Sequence, residues 1–207
     1  MKTQKKDNSD FIYWICKLTS TPRFIGSYLV QPQSGADHAF RVAMIGLQMV
    51  DDYNLNHKKK DQISREEVLL KCLLHDVEES VIGDLPTPVK YITPEFRESV
   101  RIVEEKAMQE FVLKNAGPHK DEYYSLWLNA KKDKSGKIVK VADKLEGFIK
   151  INFEIRQGNA GLIPAYYETT KWFDENKDLV DYFAKGAELV EQYRIQELDE
   201  RNPNKKK

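Results

Sequence analysis

The sequence has few of the features that mark secreted, membrane-spanning or strongly charged proteins. It contains only two cysteines among 207 residues, Cys16 and Cys72. Both lie in apolar helical patterns, which is typical of reduced, buried thiols rather than of a disulfide. Lys plus Arg and Asp plus Glu each total 33, so no net charge favours binding to a nucleic-acid polymer or an anionic membrane. The N-terminal apolar run FIYWICKL is too short to span a bilayer. We therefore predict a cytoplasmic protein that binds neither nucleic-acid polymers nor membranes.

Apolar residues recur with helical spacing along nearly the whole chain, and no segment shows the alternation that is typical of a strand. Hydrophobic residues make up 41% of the sequence and charged residues 32%, which is a globular balance. No repeat or domain linker is evident. The sequence thus predicts an all-α fold with a single domain over residues 1–207. Its ordered core should cover about residues 10–200, with charged ends that fray.

Capping residues predict where several helices begin. Ser64 and Glu67 have the spacing of a capping box, so one helix should start at residue 65 and run to about residue 81. Thr93 followed by Pro94 should begin another that reaches about residue 114. An earlier loop should extend to about residue 36, before an apolar helix over residues 40–50. Further helices are expected over residues 11–18, 123–130, 139–155, 166–173 and 179–198.

The segment LLHDVEESVIGDLPTPVKY, residues 73–91, places an imidazole and several carboxylates in an apolar helical run. Burying such groups is costly unless each has a partner. His75 and Asp76 are adjacent here, and His38 and Asp143 lie in two other apolar helical segments. Two imidazoles and two carboxylates suit one divalent metal ion, with positions left for water and substrate. Mn, Co, Ni, Fe, Zn and Mg are all compatible with these mixed ligands.

The pattern H…HD…D resembles the HD-domain metal-dependent phosphohydrolases. The segment HDVEESVIGDLPTPVKY is similar to the corresponding segment of the bacterial HD-domain 5′-deoxynucleotidases, the YfbR-like group, and SGADHAFRVAM resembles their first-histidine helix. The resemblance extends from about residue 23 to residue 143 and is strongest over residues 72–91. It implies an HD-domain helical bundle that uses one divalent metal ion to remove the 5′-phosphate from (deoxy)nucleoside monophosphates. Members of the family are commonly dimers, so we also expect a homodimer.

The resemblance implies that Glu79 and Asp84 act in catalysis and in placing the attacking water. Glu79 follows His75 by four residues, which would put it on the same helical face, directed toward the metal. A carboxyl group close to the phosphate could also transfer a proton to the departing nucleoside oxygen. We favour Asp84 for contact with the attacking water or the leaving group and Glu79 for orienting the water, although the sequence does not separate the two roles. Glu78 should point about 100° away from Glu79, and we predict that it is a surface acid.

The same resemblance implies substrate contacts. Arg23 matches a family arginine that contacts the substrate. Phe24 stands where the family has a tryptophan that helps to reject a ribose 2′-hydroxyl, which puts selectivity for deoxyribose in question. Thr87 and Lys90 are further candidates for binding phosphate, although Lys90 could equally form a surface ion pair. The lysines of NAKKDKSGK, residues 129–137, are expected to lie in a solvated loop.

Other functions remain open. Related HD proteins release triphosphate or pyrophosphate from nucleoside triphosphates, and a catalytically silent HD module could bind nucleotides without turnover. A purely structural helical protein would need hydrogen bonds alone to satisfy the four ligand candidates. Hydrolysis of cyclic nucleotides is disfavoured because His57 and His119 lie in polar loops, where they are poorly placed to assemble a second metal site and should be exposed.

Overall fold

A computed structural model describes residues 10–202 of the chain, and these residues are helical. They contain no strand beyond one isolated bridge between Pro22 and Ser34. The all-α prediction is therefore confirmed. The frayed ends that the sequence predicts fall largely on residues 1–9 and 203–207, outside the described residues. The helices are α1 Phe11–Lys17, α2 Gly35–Leu55, α3 Arg65–Leu74, α4 Glu79–Ile82, α5 Thr87–Lys90, α6 Pro94–Ala107, α7 Lys120–Leu128, α8 Lys134–Arg156, α9 Ile163–Glu175, α10 Lys177–Asp181, α11 Ala184–Tyr193 and α12 Gln196–Glu200.

Three helices, α2, α3 and α8, pack against one another and form the centre of the molecule. Their facing side chains make one buried apolar cluster, which includes Val42, Val68 and Val141. Gly46 permits the close approach of α2 to α3, since a Cβ at this position would lie 2.8 Å from Sγ of Cys72. The other face of α8 packs on α9 and α11. Helices α2 and α8 carry His38 and Asp143, and the turn directly after α3 carries His75 and Asp76.

The structure confirms two of the predicted helix starts. Helix α3 begins at Arg65, where Oγ of Ser64 accepts a hydrogen bond from the backbone N–H of Glu67. Helix α6 begins with Pro94 after Thr93, whose Oγ1 accepts from the N–H of Phe96. Helix α2, by contrast, starts at Gly35, earlier than the predicted loop end. A capping box between Ser34 and Asp37 fixes this start, so His38 lies in the first turn of the helix.

Several predicted boundaries are wrong. The helix expected to reach residue 81 ends at Leu74, and residues 75–78 form turns before α4. The imidazole Nδ1 of His75 bonds to the carbonyl oxygen of Cys72, and the backbone there tightens to i→i−3 bonds such as that from the N–H of Val77 to Leu74. The helix predicted to reach residue 114 ends at Ala107 and continues as a π turn, Met108–Val112. The last predicted helix is divided into α10, α11 and α12.

The two cysteines differ in exposure. Cys72 is buried in the central cluster, as predicted, whereas Cys16 is exposed. The prediction for Cys16 is wrong because the short helix α1 buries Trp14 and turns Cys16 to the outer side. Among the described residues, no helix is long and apolar enough to cross a membrane.

Candidate metal centre

The four predicted ligands, His38, His75, Asp76 and Asp143, lie together where the three central helices meet. One ligand atom of each lies within 4.8 Å of the corresponding atoms of the other three. Nε2 of His38 is 3.1 Å from Oδ1 of Asp143, and Nε2 of His75 is 3.0 Å from Oδ2 of Asp76. At these separations, a single cation between the four atoms could contact all of them.

Both imidazoles are oriented through their Nδ1 atoms. Nδ1 of His75 lies 2.8 Å from the carbonyl oxygen of Cys72, which can only accept a hydrogen bond, so Nδ1 carries the proton. Nδ1 of His38 lies 2.6 Å from Oε2 of Glu146 and donates to that carboxylate. Each ring therefore points its Nε2 atom toward the other ligands. Both Nε2 atoms are buried and have no hydrogen-bond partner. Two orphaned imidazole nitrogens beside two carboxylates fit a divalent metal ion.

The charges at the site also favour a cation. Burial raises the pKa of Asp143, but the ammonium of Lys131 and the neighbouring imidazoles hold that pKa well below its usual range. Burial lowers the pKa of His75, but the carboxylate of Asp76 outweighs this effect and raises that pKa to about 10. A metal ion would bind Nε2 of His75 by displacing its proton. The two aspartates thus remain ionised and attract positive charge to the space between them.

A second group of charged side chains lies next to the four ligands. Oε1 of Glu79 accepts a hydrogen bond of 3.1 Å from Nζ of Lys90, and its Oε2 is 3.7 Å from NH1 of Arg23. NH1 of Arg23 is also 3.5 Å from Oδ2 of Asp76. Burial raises the pKa of Glu79, and the charges of Asp76 and Asp84 raise it further, to about 9, against the opposing effect of the two cations. The raised pKa favours the protonated form of the Glu79 carboxyl group.

The remaining predicted residues surround this group. Asp84 follows Gly83, whose φ of 81° favours glycine, and it is near enough for its charge to act on Glu79 and Arg23. Phe24 is partly buried and has a φ of 57°, an uncommon value for a bulky residue. Thr87 begins α5 and is exposed. The structure thus joins Arg23 and Lys90 to Glu79 directly, and Thr87 lies farther toward the solvent.

One prediction about surface charges is wrong, and one exposed lysine makes a contact that the sequence did not indicate. Glu78 is buried, and its Oε2 accepts a hydrogen bond of 2.7 Å from Nε1 of Trp127. Burial raises the pKa of Glu78 to about 8, with a further contribution from the charge of Asp76. The turns at residues 75–78 cause this difference, because the 100° spacing of a continuous helix does not apply there. Lys131 is exposed, as predicted for the lysines of this loop, but its Nζ also donates to Oδ2 of Asp143 at 2.7 Å.

Sequence reasoning missed Glu146 as a partner of the centre. Its Oε1 accepts a hydrogen bond of 2.6 Å from Nε2 of Gln33 while its Oε2 accepts from His38, so the carboxylate is fully engaged. Glu146 follows Asp143 by three residues, which places both side chains on the same face of α8. This three-residue spacing is the sequence feature from which Glu146 could have been identified. His57 and His119 are exposed, as predicted.

Comparisons with known proteins identify the family to which the chain belongs. A family model described as 5′-deoxynucleotidase YfbR-like matches residues 10–191. The 5′-deoxynucleotidase YfbR of Salmonella paratyphi B is 30% identical over 157 residues, which cover 74% of this chain and 77% of that protein.

Solved structures show the same fold. An HD-domain phosphohydrolase from Listeria innocua superposes with a TM-score of 0.73 at 25% identity, covering 87% of this chain and 84% of the other. The HD phosphohydrolase DatZ of cyanophage S-2L, solved with dA and one catalytic Zn²⁺ ion, has a TM-score of 0.61 at 18% identity and covers 91% and 96% of the two chains. The matched residues include all four ligand candidates, and the chain belongs to the YfbR-like 5′-deoxynucleotidase family of HD-domain proteins.

Proposed function

We propose that the protein is a metal-dependent phosphohydrolase that removes the 5′-phosphate from (deoxy)nucleoside monophosphates. One observation carries the proposal: two buried imidazole nitrogens without hydrogen-bond partners face two ionised carboxylates. Membership of the YfbR-like family supplies the substrate class. The proposed ligands are His38, His75, Asp76 and Asp143.

A divalent cation at this position would polarise the phosphate. It would also lower the pKa of a bound water molecule toward neutrality, so that hydroxide becomes available. The chain itself supplies the remaining functions. Arg23 and Lys90 offer cationic donors next to the ligands and are proposed to bind the non-bridging phosphate oxygens. Arg23 now lies beside Asp76, and Lys90 donates a hydrogen bond to Glu79, so an incoming phosphate would take over donors that acidic side chains engage at present.

Glu79 is the proposed proton donor to the departing nucleoside oxygen. Its raised pKa keeps a proton on the carboxyl group near neutral pH, and the breaking bond between phosphorus and the 5′-oxygen requires that proton. Asp84 is proposed to orient the attacking water. Phe24 and Thr87 are proposed to contact the sugar and the phosphate, respectively. Because Phe24 has no N–H donor, we expect weaker discrimination against ribonucleotides than a tryptophan would give.

The experiment is a phosphate-release screen with metal-stripped protein. Each divalent ion is added in turn, with deoxynucleoside and ribonucleoside 5′-monophosphates and the corresponding triphosphates. The proposal predicts inorganic phosphate and nucleoside from monophosphates, and loss of that activity in His75→Ala. His119→Ala is the matched control because this histidine is exposed and far from the ligands in sequence. Release of triphosphate or pyrophosphate would instead support the alternative activity on nucleoside triphosphates.

A nucleotide-binding module without turnover is the other alternative. It would bind a deoxynucleoside monophosphate in the presence of metal and release no phosphate. The buried Glu79, whose pKa is raised, favours the enzyme, because binding alone requires no proton donor.

A homodimer and a cytoplasmic location are also part of the proposal. Exposed Ile102 and Val103 give α6 an apolar outer face that could pack against a second copy. Light scattering coupled to size-exclusion chromatography tests the dimer, and a monomeric mass at micromolar concentration would contradict it.

A further inference from the structure

Lys131 contacts both aspartates of the centre. Its Nζ donates to Oδ2 of Asp143 at 2.7 Å and lies 3.8 Å from Oδ1 of Asp76. The imidazoles face the other two oxygens, Oδ1 of Asp143 and Oδ2 of Asp76. The ammonium thus holds the outer oxygen of each carboxylate and leaves the inner oxygen for a ligand ion.

The loop that carries Lys131, residues 129–133, is fixed by buried interactions. A Cβ on Gly136 would lie 2.9 Å from both the carbonyl oxygen of Ala130 and the carbonyl carbon of Lys131, so glycine lets this loop lie against α8. Asp133 caps α8 through a 2.8 Å hydrogen bond from the N–H of Gly136. The buried ammonium of Lys71 in turn donates to Asp133 at 2.7 Å. A solvated lysine would need no such support.

The position of Lys131 has two consequences for a bound cation. Because one oxygen of Asp143 is already hydrogen-bonded, the carboxylate presents a single oxygen to the ion. In addition, a fixed positive charge beside the ligands opposes the charge of the ion, and the effect is large where water is partly excluded. The side chain of Lys131 is 36% exposed, so part of the repulsion is screened by solvent.

We propose that Lys131 is a positioning residue that restricts Asp143 to one-oxygen coordination and lowers the affinity of the centre for its divalent ion, so that the ion exchanges readily. This inference rests on the proposed metal site.

The test measures the affinity of metal-stripped protein for Mn²⁺ by competition with a fluorescent chelator, without substrate. Lys131→Met removes the charge and retains most of the length, Lys131→Gln is a second neutral variant, and Lys131→Arg keeps the charge. Lys132→Met is the matched control, because Lys132 is an exposed neighbour in the same loop. The neutral variants should bind Mn²⁺ about tenfold more tightly, whereas Lys131→Arg and Lys132→Met should stay within about twofold of the wild type.

Thermal unfolding gives an independent measurement. Without metal, the neutral variants should unfold at a lower temperature than the wild type, because the two carboxylates lose their shared counter-ion. Mn²⁺ should then raise their unfolding temperature by more than it raises that of the wild type. Unchanged or weaker Mn²⁺ binding by Lys131→Met and Lys131→Gln would overturn the inference while leaving the metal site intact. If neither the wild type nor any variant binds Mn²⁺, the proposed metal site is wrong, and the inference about Lys131 is wrong as well.

Discussion

Replacing Glu146 with alanine removes the acceptor that orients His38, and the structure gives the size of the expected effect. The change leaves Nδ1 of His38 and Nε2 of Gln33 without their 2.6 Å partner in a buried environment. Each unpaired buried group costs about 1–3 kcal/mol. The free energy of unfolding of the metal-free protein should therefore fall by about 2–6 kcal/mol for the two groups together, measured by urea denaturation.

The same substitution should weaken metal binding, since partners that orient a ligating histidine typically contribute about 10–100-fold to affinity. We expect the loss of metal affinity in Glu146→Ala to lie near the upper end of that range. Glu146→Gln should lie near the lower end, because the amide oxygen can still accept from His38. Gln33 can adapt to the new amide by rotating its own, since its Oε1 has no hydrogen-bond partner.

Mn²⁺ affinity by chelator competition separates these outcomes. Glu168→Ala is the matched control, because Glu168 is exposed on α9. If Glu146→Ala folded and bound Mn²⁺ within about twofold of the wild type, the reasoning that Glu146 orients His38 would be refuted.

Four further predictions concern the rest of the chain. Gly46→Ala should destabilise the protein by about 1–3 kcal/mol in urea unfolding, because the new methyl would lie 2.8 Å from Sγ of Cys72. Gly147→Ala should stabilise it by about 0.5–1 kcal/mol, since Gly147 is within α8 and a Cβ there meets nothing within 4 Å; the opposite signs would contradict the packing described. A thiol reagent should modify the exposed Cys16 quickly and the buried Cys72 only on unfolding. Rapid modification of both cysteines in the folded protein would contradict the packing of the central helices. Burial raises the pKa of Glu154, but hydrogen bonds led by Lys150 lower it overall from 4.5 to about 2. The folded-state pKa is depressed, so this stabilisation is present above pH 4.5 and is lost as the pH falls toward 2. In Glu154→Gln, the free energy of unfolding should depend less on pH between 4.5 and about 2 than in the wild type. An unchanged pH dependence in this range would contradict the interpretation.

The sequence predicts the helical class and the four ligand candidates because both depend on local patterns. Apolar spacing identifies helices wherever one face is buried, and histidines or aspartates within such runs are conspicuous. The capping residues Ser64 and Thr93 likewise act on their own helices, so their positions could be read without knowing what packs nearby.

The predictions that failed depend on contacts between distant segments. Glu78 was assigned to the surface by extending a helix that ends at Leu74, and its partner Trp127 is 49 residues away. Lys131 lies in a run of lysines that resembles a solvated loop. Its contact with Asp143 depends on how residues 129–133 pack against Gly136. Such packing cannot be predicted from the spacing of residues in the sequence.

The most direct test of the account titrates metal-stripped protein with Mn²⁺ and measures phosphate release from a deoxynucleoside 5′-monophosphate in the same samples. Four ligands around a single ion predict no release without metal and a rise in rate that saturates at one equivalent per chain. The same titration of Asp143→Ala should show little binding and little release. Phosphate release by the metal-free protein, or saturation only at two equivalents, would contradict the single-ion centre.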